Sequence, residues 1–411
     1  MRALVYGAAA GDEPRAPRSD VDRALVAHLL AQPVRLCALE DPTVDADDVV
    51  VLAPRLAGVC GSDARLMLGD LNDGDLDNPM ASFSALPFVL GHEVVADVVA
   101  AGSASGAAEG DRVVLNAWLS CAPRGFDACP ACAAGDLAQC ERFLDGAIGP
   151  GLHVGVTEGA PGAFATLLRA HASQVHAVPA GVSDEAAVLA DPFSVSLHAI
   201  ARTPPPKGGR VLVIGAGALG TTAVAALRRW HPSASIAVLC RYGHQRDVVT
   251  ALGAELVVDH EPREDALCAI AEWSGGAMRP AIMGLAMSYP GGVDVVYDTV
   301  GSAETLELAV RAARMRGSVV LLGVATPRRF EWTPIYFKEL ALVGSSGFGV
   351  EAVAGVRRHA IDHYLAACAD GLDLSSLVTH VEPLEGWLDL GAAIGSPERS
   401  GVVKAAFAPN G

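Results

Sequence analysis

"RVLVIGAGALGTTAVAALRRW", residues 210–230, decides the fold. A short apolar run ending at Ile214 reads as a buried strand. A turn follows in which Gly215, Gly217 and Gly220 hold the G-x-G-x-x-G spacing. The residues after it read as a helix. Strand, glycine turn and helix in that order are the context a dinucleotide site requires. Gly215 permits the tight turn, Gly217 lets backbone approach a pyrophosphate, and Gly220 allows close helix–strand packing. The helix N-terminus then faces the phosphate charge. Leu219, inside the turn, joins the glycines as a candidate cofactor contact.

Downstream, "SIAVLC", "AELVVD", "VDVVYDTVG" and "GSVVLLGVA" read as apolar strands, with helical stretches such as "AETLELAVRAARM" between some of them. Strand alternating with helix predicts a parallel, doubly wound α/β sheet. Upstream the texture differs. "MRALVYG", "DDVVVLAPRLAGV", "EVVADVVAAG" and "DRVVLNAWL" are short Val-, Leu- and Ala-rich segments bounded by Gly, Asp and Pro. They predict a mostly-β region with little helix. The change falls near residue 183, where "SDEAAVLADPFSVSLHAIART" opens on a Ser cap and predicts one helix.

The end of the second strand bears on the choice of dinucleotide. An NAD site usually ends that strand in an acid that accepts from the ribose 2′-hydroxyl. Here Cys240 ends it, and Arg241 and Tyr242 follow. A guanidinium without an acid favours a 2′-phosphate, so NADP is expected over NAD, with Arg241 as its main contact.

The 411 residues suit two domains, and 51% hydrophobic residues supply ample core. A net charge of −17 argues against a nucleic-acid or anionic-membrane partner. No export signal or apolar run of about 18 residues is evident, so a cytoplasmic protein is expected. Its nine cysteines then read as thiols or metal ligands rather than disulfides.

"LPFVLGHEVVADVVAAG", residues 86–102, sets His92 beside Glu93 in an otherwise buried stretch. Burying either without a partner is costly. Cys60 in "GVCGSD" and Asp191 in "LADPFS" also sit in apolar contexts, and Cys, His and carboxylate are ligands zinc accepts. A zinc ion would neutralise the thiolate and satisfy the imidazole. "CAPRGFDACPACAAGDLAQC" adds Cys121, Cys129, Cys132 and Cys140, a spacing suited to a closed structural zinc.

The order "GVCGSD", "GHE", a cysteine cluster, "LADPFSVSLHA" and then G-x-G-x-x-G resembles the zinc-dependent medium-chain alcohol dehydrogenases, most of all their polyol and threonine dehydrogenase branch. The resemblance covers nearly the whole chain. It implies a GroES-like, mostly-β catalytic domain at 1–192 and 347–411, with a structural-zinc lobe at about 119–143. A Rossmann domain at 193–346 interrupts it. Residue by residue, Cys60 and His92 match zinc ligands, and Glu93 matches a carboxylate that binds zinc directly or during ligand exchange. Asp191 matches a further ligand or an acid behind the ligands. Ser62 matches the hydroxyl that passes the alcohol proton outward, and Asp63 the acid that orients the imidazole. Val195, Val300, Gly323 and Val324 match cofactor-lining positions. A homodimer or homotetramer is implied.

One departure stands out. Relatives often carry His five positions after the first cysteine, where this chain has Arg65, which cannot relay a proton near neutral pH. Segments 10–34, 69–86 and 275–291 read as extra. The second carries Asp70, Asp73, Asp75 and Asp77 and reads as a solvated loop. The third is apolar enough for a subunit contact or a cleft. The expected function is zinc-dependent hydride transfer between a secondary alcohol or polyol and NADP. The rivals are a zinc-free enoyl or quinone reductase of the same superfamily and a non-catalytic nucleotide-binding protein.

Overall fold

The computed structural model describes residues 1–70, 82–280, 282–325 and 329–411. Asp73, Asp75 and Asp77 lie outside them. The chain forms two compact units, Met1–Asp191 with Arg358–Gly411, and Pro192–Arg357.

The second unit is built on a six-stranded sheet. Its order is Leu256–Asp259, Ser235–Cys240, Arg210–Ile214, Val293–Asp298, Ala313–Leu321, Ala341–Gly344. Every neighbouring pair is parallel. Numbered along the chain, the order is 3-2-1-4-5-6, the doubly wound arrangement expected from alternating strands and helices. The central strands are apolar throughout because both faces are covered. Val211, Leu212, Val213 and Ile214 are all buried.

The first unit is mostly β. Strands Val378–Glu382, Lys404–Phe407, Val49–Gly58, Glu93–Ala101, Arg112–Leu115 and Val175–Ala177 form its main sheet in that order, and Leu168–His171 also pairs with Val49–Gly58. Upstream of residue 183, two described helices of eight or more residues break the expected texture. Arg23–Ala31 starts at Asp22, whose side chain accepts from Ala24 N, and it buries Val26 and Leu29. Gly61–Leu68 follows directly on Cys60. The segment before the first of these is tied down by Arg15, which pairs with Asp389 (2.7 Å) and Glu382 (3.2 Å).

The single helix expected from residue 183 onward is two. Ser183 caps Asp184–Ala187 by accepting from Ala186 N. A second helix runs Ala190–Arg202. Pro192 explains the break: it has no N–H to give and is tolerated only in a first turn. In the 275–291 segment, Met278–Arg279 pairs antiparallel with Met287–Ser288, and Ile282 and Met283 between them are exposed.

Candidate metal and cofactor sites

Cys60 lies at the end of an apolar strand and His92 and Glu93 at the start of another. Register brings them together, because Glu93 pairs with Gly58 across the sheet. Cys60 Sγ, a ring nitrogen of His92 and a carboxylate oxygen of Glu93 all lie within 4.8 Å of one another. His92 and Glu93 are buried.

Asp63 holds this arrangement. Its Oδ2 accepts from Cys60 N (3.1 Å) and its Oδ1 from Gly91 N (3.2 Å), which locks the Cys60 and His92 segments to each other. Oδ2 also faces His92 Nδ1 at 3.6 Å. Burial alone would lower the His92 pKa, and the charges of Asp63 and Cys60 outweigh it and raise it. At Asp63 burial pushes upward and the His92 charge prevails, keeping the carboxyl below its ordinary range. Ser62 is exposed in the first turn of the helix after Cys60.

Asp191 is buried nearby but lies outside the three-residue group. Its pKa is pushed up to about 7, chiefly by burial and then by the Glu93 charge, against the opposing pull of His92 and Lys404.

Lys404 was missed in the sequence. It is 2% exposed, donates to Val59 O (2.9 Å) and forms an ion pair with Glu93 Oε2. Gly58 makes room for that pair: a Cβ there would fall 2.4 Å from Glu93 Oε2 and 3.0 Å from Lys404 Cε. The only signal was one lysine in the apolar stretch "VVKAAF".

His153 is the second residue the sequence did not single out. Its ring centroid lies 4.6 Å from that of His92, and it meets Trp118 edge-on at 5.7 Å. Nδ1 contacts Val154 O at 2.5 Å. Burial, and then the His92 charge, lower its pKa to about 4.

The four cysteines of the lobe also meet. Cys121, Cys129, Cys132 and Cys140 have sulfurs within 4.8 Å of one another. Burial pushes the Cys140 thiol up to about 11 and raises Cys132 as well. At Cys129 burial also pushes upward, but backbone donors at Glu141 and Cys132 bring it down to about 6. Four sulfurs this close, three of them on buried cysteines, cannot all ionise without a cation among them, so the donor set fits a tetrahedral thiolate metal. Arg124, buried inside the lobe, donates to Leu119 O, Asp145 O, Ile148 O, Gly149 O and Gly151 O at 2.8–3.1 Å. It thereby satisfies five carbonyls that no regular structure pairs.

In the other unit, Gly215 has φ +94°, and a Cβ there would meet Thr299 Oγ1 at 2.6 Å. A Cβ on Gly217 would meet nothing within 4 Å, so the side of the backbone it would occupy is open to a phosphate. A Cβ on Gly220 would fall 2.0 Å from Gly215 O, so only glycine lets helix and turn pack this closely. Leu219 O accepts from Ser196 Oγ (2.9 Å). Val300 and Val324 are exposed and Val195 and Gly323 partly so. Asp298, another residue not foreseen, accepts from Val300 N (3.0 Å), Gly301 N (2.9 Å) and Thr305 Oγ1 (2.9 Å), fixing the loop that follows its strand. Arg241 is exposed after Cys240, its guanidinium 5.5 Å from the Tyr242 ring centre.

Two family models match the chain. One, the alcohol dehydrogenase GroES-like domain, matches residues 46–180, and the other, the zinc-binding dehydrogenase, matches residues 218–361. Together they take in more than half of it. A sorbitol dehydrogenase of Bacillus subtilis (strain 168) is 27% identical over 292 residues, 71% of this chain and 72% of its own. An L-threonine 3-dehydrogenase of Saccharopolyspora erythraea is 29% identical over 367 residues, 88% of this chain and 92% of its own. A crystal structure of a zinc-binding dehydrogenase from Sinorhizobium meliloti 1021, bound to NADP, is 25% identical with a TM-score of 0.69, covering 92% of this chain and 95% of that one. No described helix is long and apolar enough to cross a membrane.

Proposed function

Because the chain belongs to the zinc-type medium-chain alcohol dehydrogenases, in their polyol and threonine dehydrogenase branch, we propose that it moves hydride between a secondary alcohol or polyol and NADP. Cys60, His92 and Glu93 would hold the catalytic zinc, with Asp191 behind them. Cys121, Cys129, Cys132 and Cys140 would hold a structural one. The observation that carries the reading is the meeting of Cys60, His92 and Glu93 within 4.8 Å, from segments joined by Asp63.

Bound zinc supplies a Lewis acid that lowers the pKa of an alcohol hydroxyl, and bound NADP supplies the hydride acceptor. The chain's own residues do the rest. Asp63 keeps the Cys60 and His92 segments in register and orients the imidazole. Lys404 balances the Glu93 charge and fixes that carboxylate. Ser62 Oγ, exposed beside Cys60, takes the proton from the substrate hydroxyl and hands it to water. Arg65 stands where relatives carry a relay histidine, so the proton leaves without a second imidazole on that helix. Gly217 and the helix behind it receive the pyrophosphate, and Arg241 a 2′-phosphate. The NADP-bound relative supports the last assignment, as does the absence of an acid at Cys240.

The test is elemental analysis of freshly purified protein, followed by NADP reduction with a panel of secondary alcohols and polyols. Two zinc ions per chain and NADPH formation are expected. Failure of every alcohol in the panel on zinc-loaded protein would overturn the reading.

A further inference from the structure

The loop that carries His153 is held rigidly against the candidate catalytic metal site. Leu119 N donates to Leu152 O (2.9 Å) and Val154 N to Ala117 O (3.0 Å), so 152–154 runs as a short antiparallel partner of 117–119. Thr157 Oγ1 donates to His153 O (2.9 Å). Gly155, at φ +91°, has room for no Cβ: one would lie 2.8 Å from Gly91 O, the residue before His92. The ring is then wedged between His92 and Trp118.

Its tautomer follows from its neighbour. A carbonyl oxygen only accepts, so Nδ1 carries the hydrogen toward Val154 O. Nε2 is left with the lone pair and is the ring's acceptor. A rigid acceptor beside a metal ligand, on a residue only partly buried, is placed to meet a substrate.

We propose that His153 is a specificity-determining residue whose Nε2 accepts a hydrogen bond from a hydroxyl on the carbon next to the reacting one, so that the site selects vicinal diols and polyols over simple secondary alcohols. The proposal rests on the dehydrogenase reading above. It places the discriminating contact on the loop after the cysteine lobe rather than on the helix that carries Arg65. A substrate hydroxyl that donates to Nε2 adds a hydrogen bond that the analogue lacking it forgoes.

The test compares 2,3-butanediol, each stereoisomer, with 2-butanol on the full-length zinc-loaded protein. At least one diol isomer is expected to exceed 2-butanol in kcat/KM by about tenfold or more. His153→Phe keeps a ring between His92 and Trp118 and removes the acceptor. It should lose about tenfold on the diol, mostly in KM, and change little on 2-butanol. His153→Gln, which keeps an acceptor near the Nε2 position, should recover part of the loss. A readout without turnover is the thermal shift of the NADPH-bound wild type. The diol should raise its Tm more than 2-butanol does, and this contrast holds even if the Phe variant fails to fold. Equal handling of both alcohols by wild type, or equal losses on both in the Phe variant, would overturn the proposal and leave the dehydrogenase standing. No NADP reduction with either alcohol or with the wider panel would overturn both.

Discussion

Lys404 places its ammonium on Glu93, from a strand near the end of the chain, inside the sheet that carries the candidate metal ligands. Both side chains are all but inaccessible, at 2% and 1%. Removing one partner of a buried pair strands the other as an uncompensated charge, a loss of about 3–5 kcal/mol. Lys404→Met should therefore lower the unfolding free energy by that order. Adding Glu93→Gln should return much of it. Chemical denaturation of the two variants measures both steps, and an additive double variant would rule out the coupling.

The same pair marks where sequence reading stops. The glycine fingerprint, the alternating strands behind it and the four clustered cysteines are local patterns, and local patterns carry their own periodicity and spacing. Cys60, His92 and Glu93 were legible because polar groups in apolar stretches demand an explanation. Lys404 and His153 were not, because their roles come from strand register and loop packing between distant segments. The helix Arg23–Ala31 had a readable cap in Asp22, but its short apolar face, Val26 and Leu29, gives weak periodicity. The split of the helix near residue 190 was readable from Pro192 alone.

The cysteine lobe yields a prediction about metal content. Cys132→Ser should reduce bound zinc by about one ion per chain and lower Tm, because a structural zinc contributes its binding energy to folding. KM values for cofactor and alcohol, measured on whatever remains folded, should change little. Elemental analysis alongside thermal denaturation checks this, and unchanged zinc content would exclude Cys132 as a ligand.

His359 predicts a pH dependence. Burial, and then the charge of His176, hold its pKa at about 3. Its ring stacks on His176 with centroids 4.3 Å apart, and His176 Nδ1 meets Asp362 Oδ1 at 2.8 Å. A histidine depressed below its ordinary 6.5 binds a proton in the unfolded chain but not in the folded one. Its contribution is therefore intact above about pH 6.5 and is lost as pH falls toward 3. By pH 5 the loss reaches about 2 kcal/mol. His359→Gln should flatten this part of the stability curve. Urea denaturation at pH 7 and pH 5 measures it, and parallel curves for variant and wild type would refute the assignment.

Arg241 tests the cofactor. It is exposed at the end of the second strand of the dinucleotide-binding sheet, its guanidinium 5.5 Å from the Tyr242 ring centre, and no acid ends that strand. A guanidinium suits a phosphate, with two parallel donors and a full charge, but gains little from a ribose hydroxyl. A charge-assisted bond of this kind contributes about 1.5–3 kcal/mol, which is about ten- to a hundredfold in binding. Arg241→Ala should therefore raise KM for NADP by that factor and leave KM for NAD within about twofold. The loss for NADP should shrink at high salt, because the interaction is exposed and screened. Equal effects on the two cofactors, or a loss indifferent to salt, would move the 2′-phosphate contact away from Arg241.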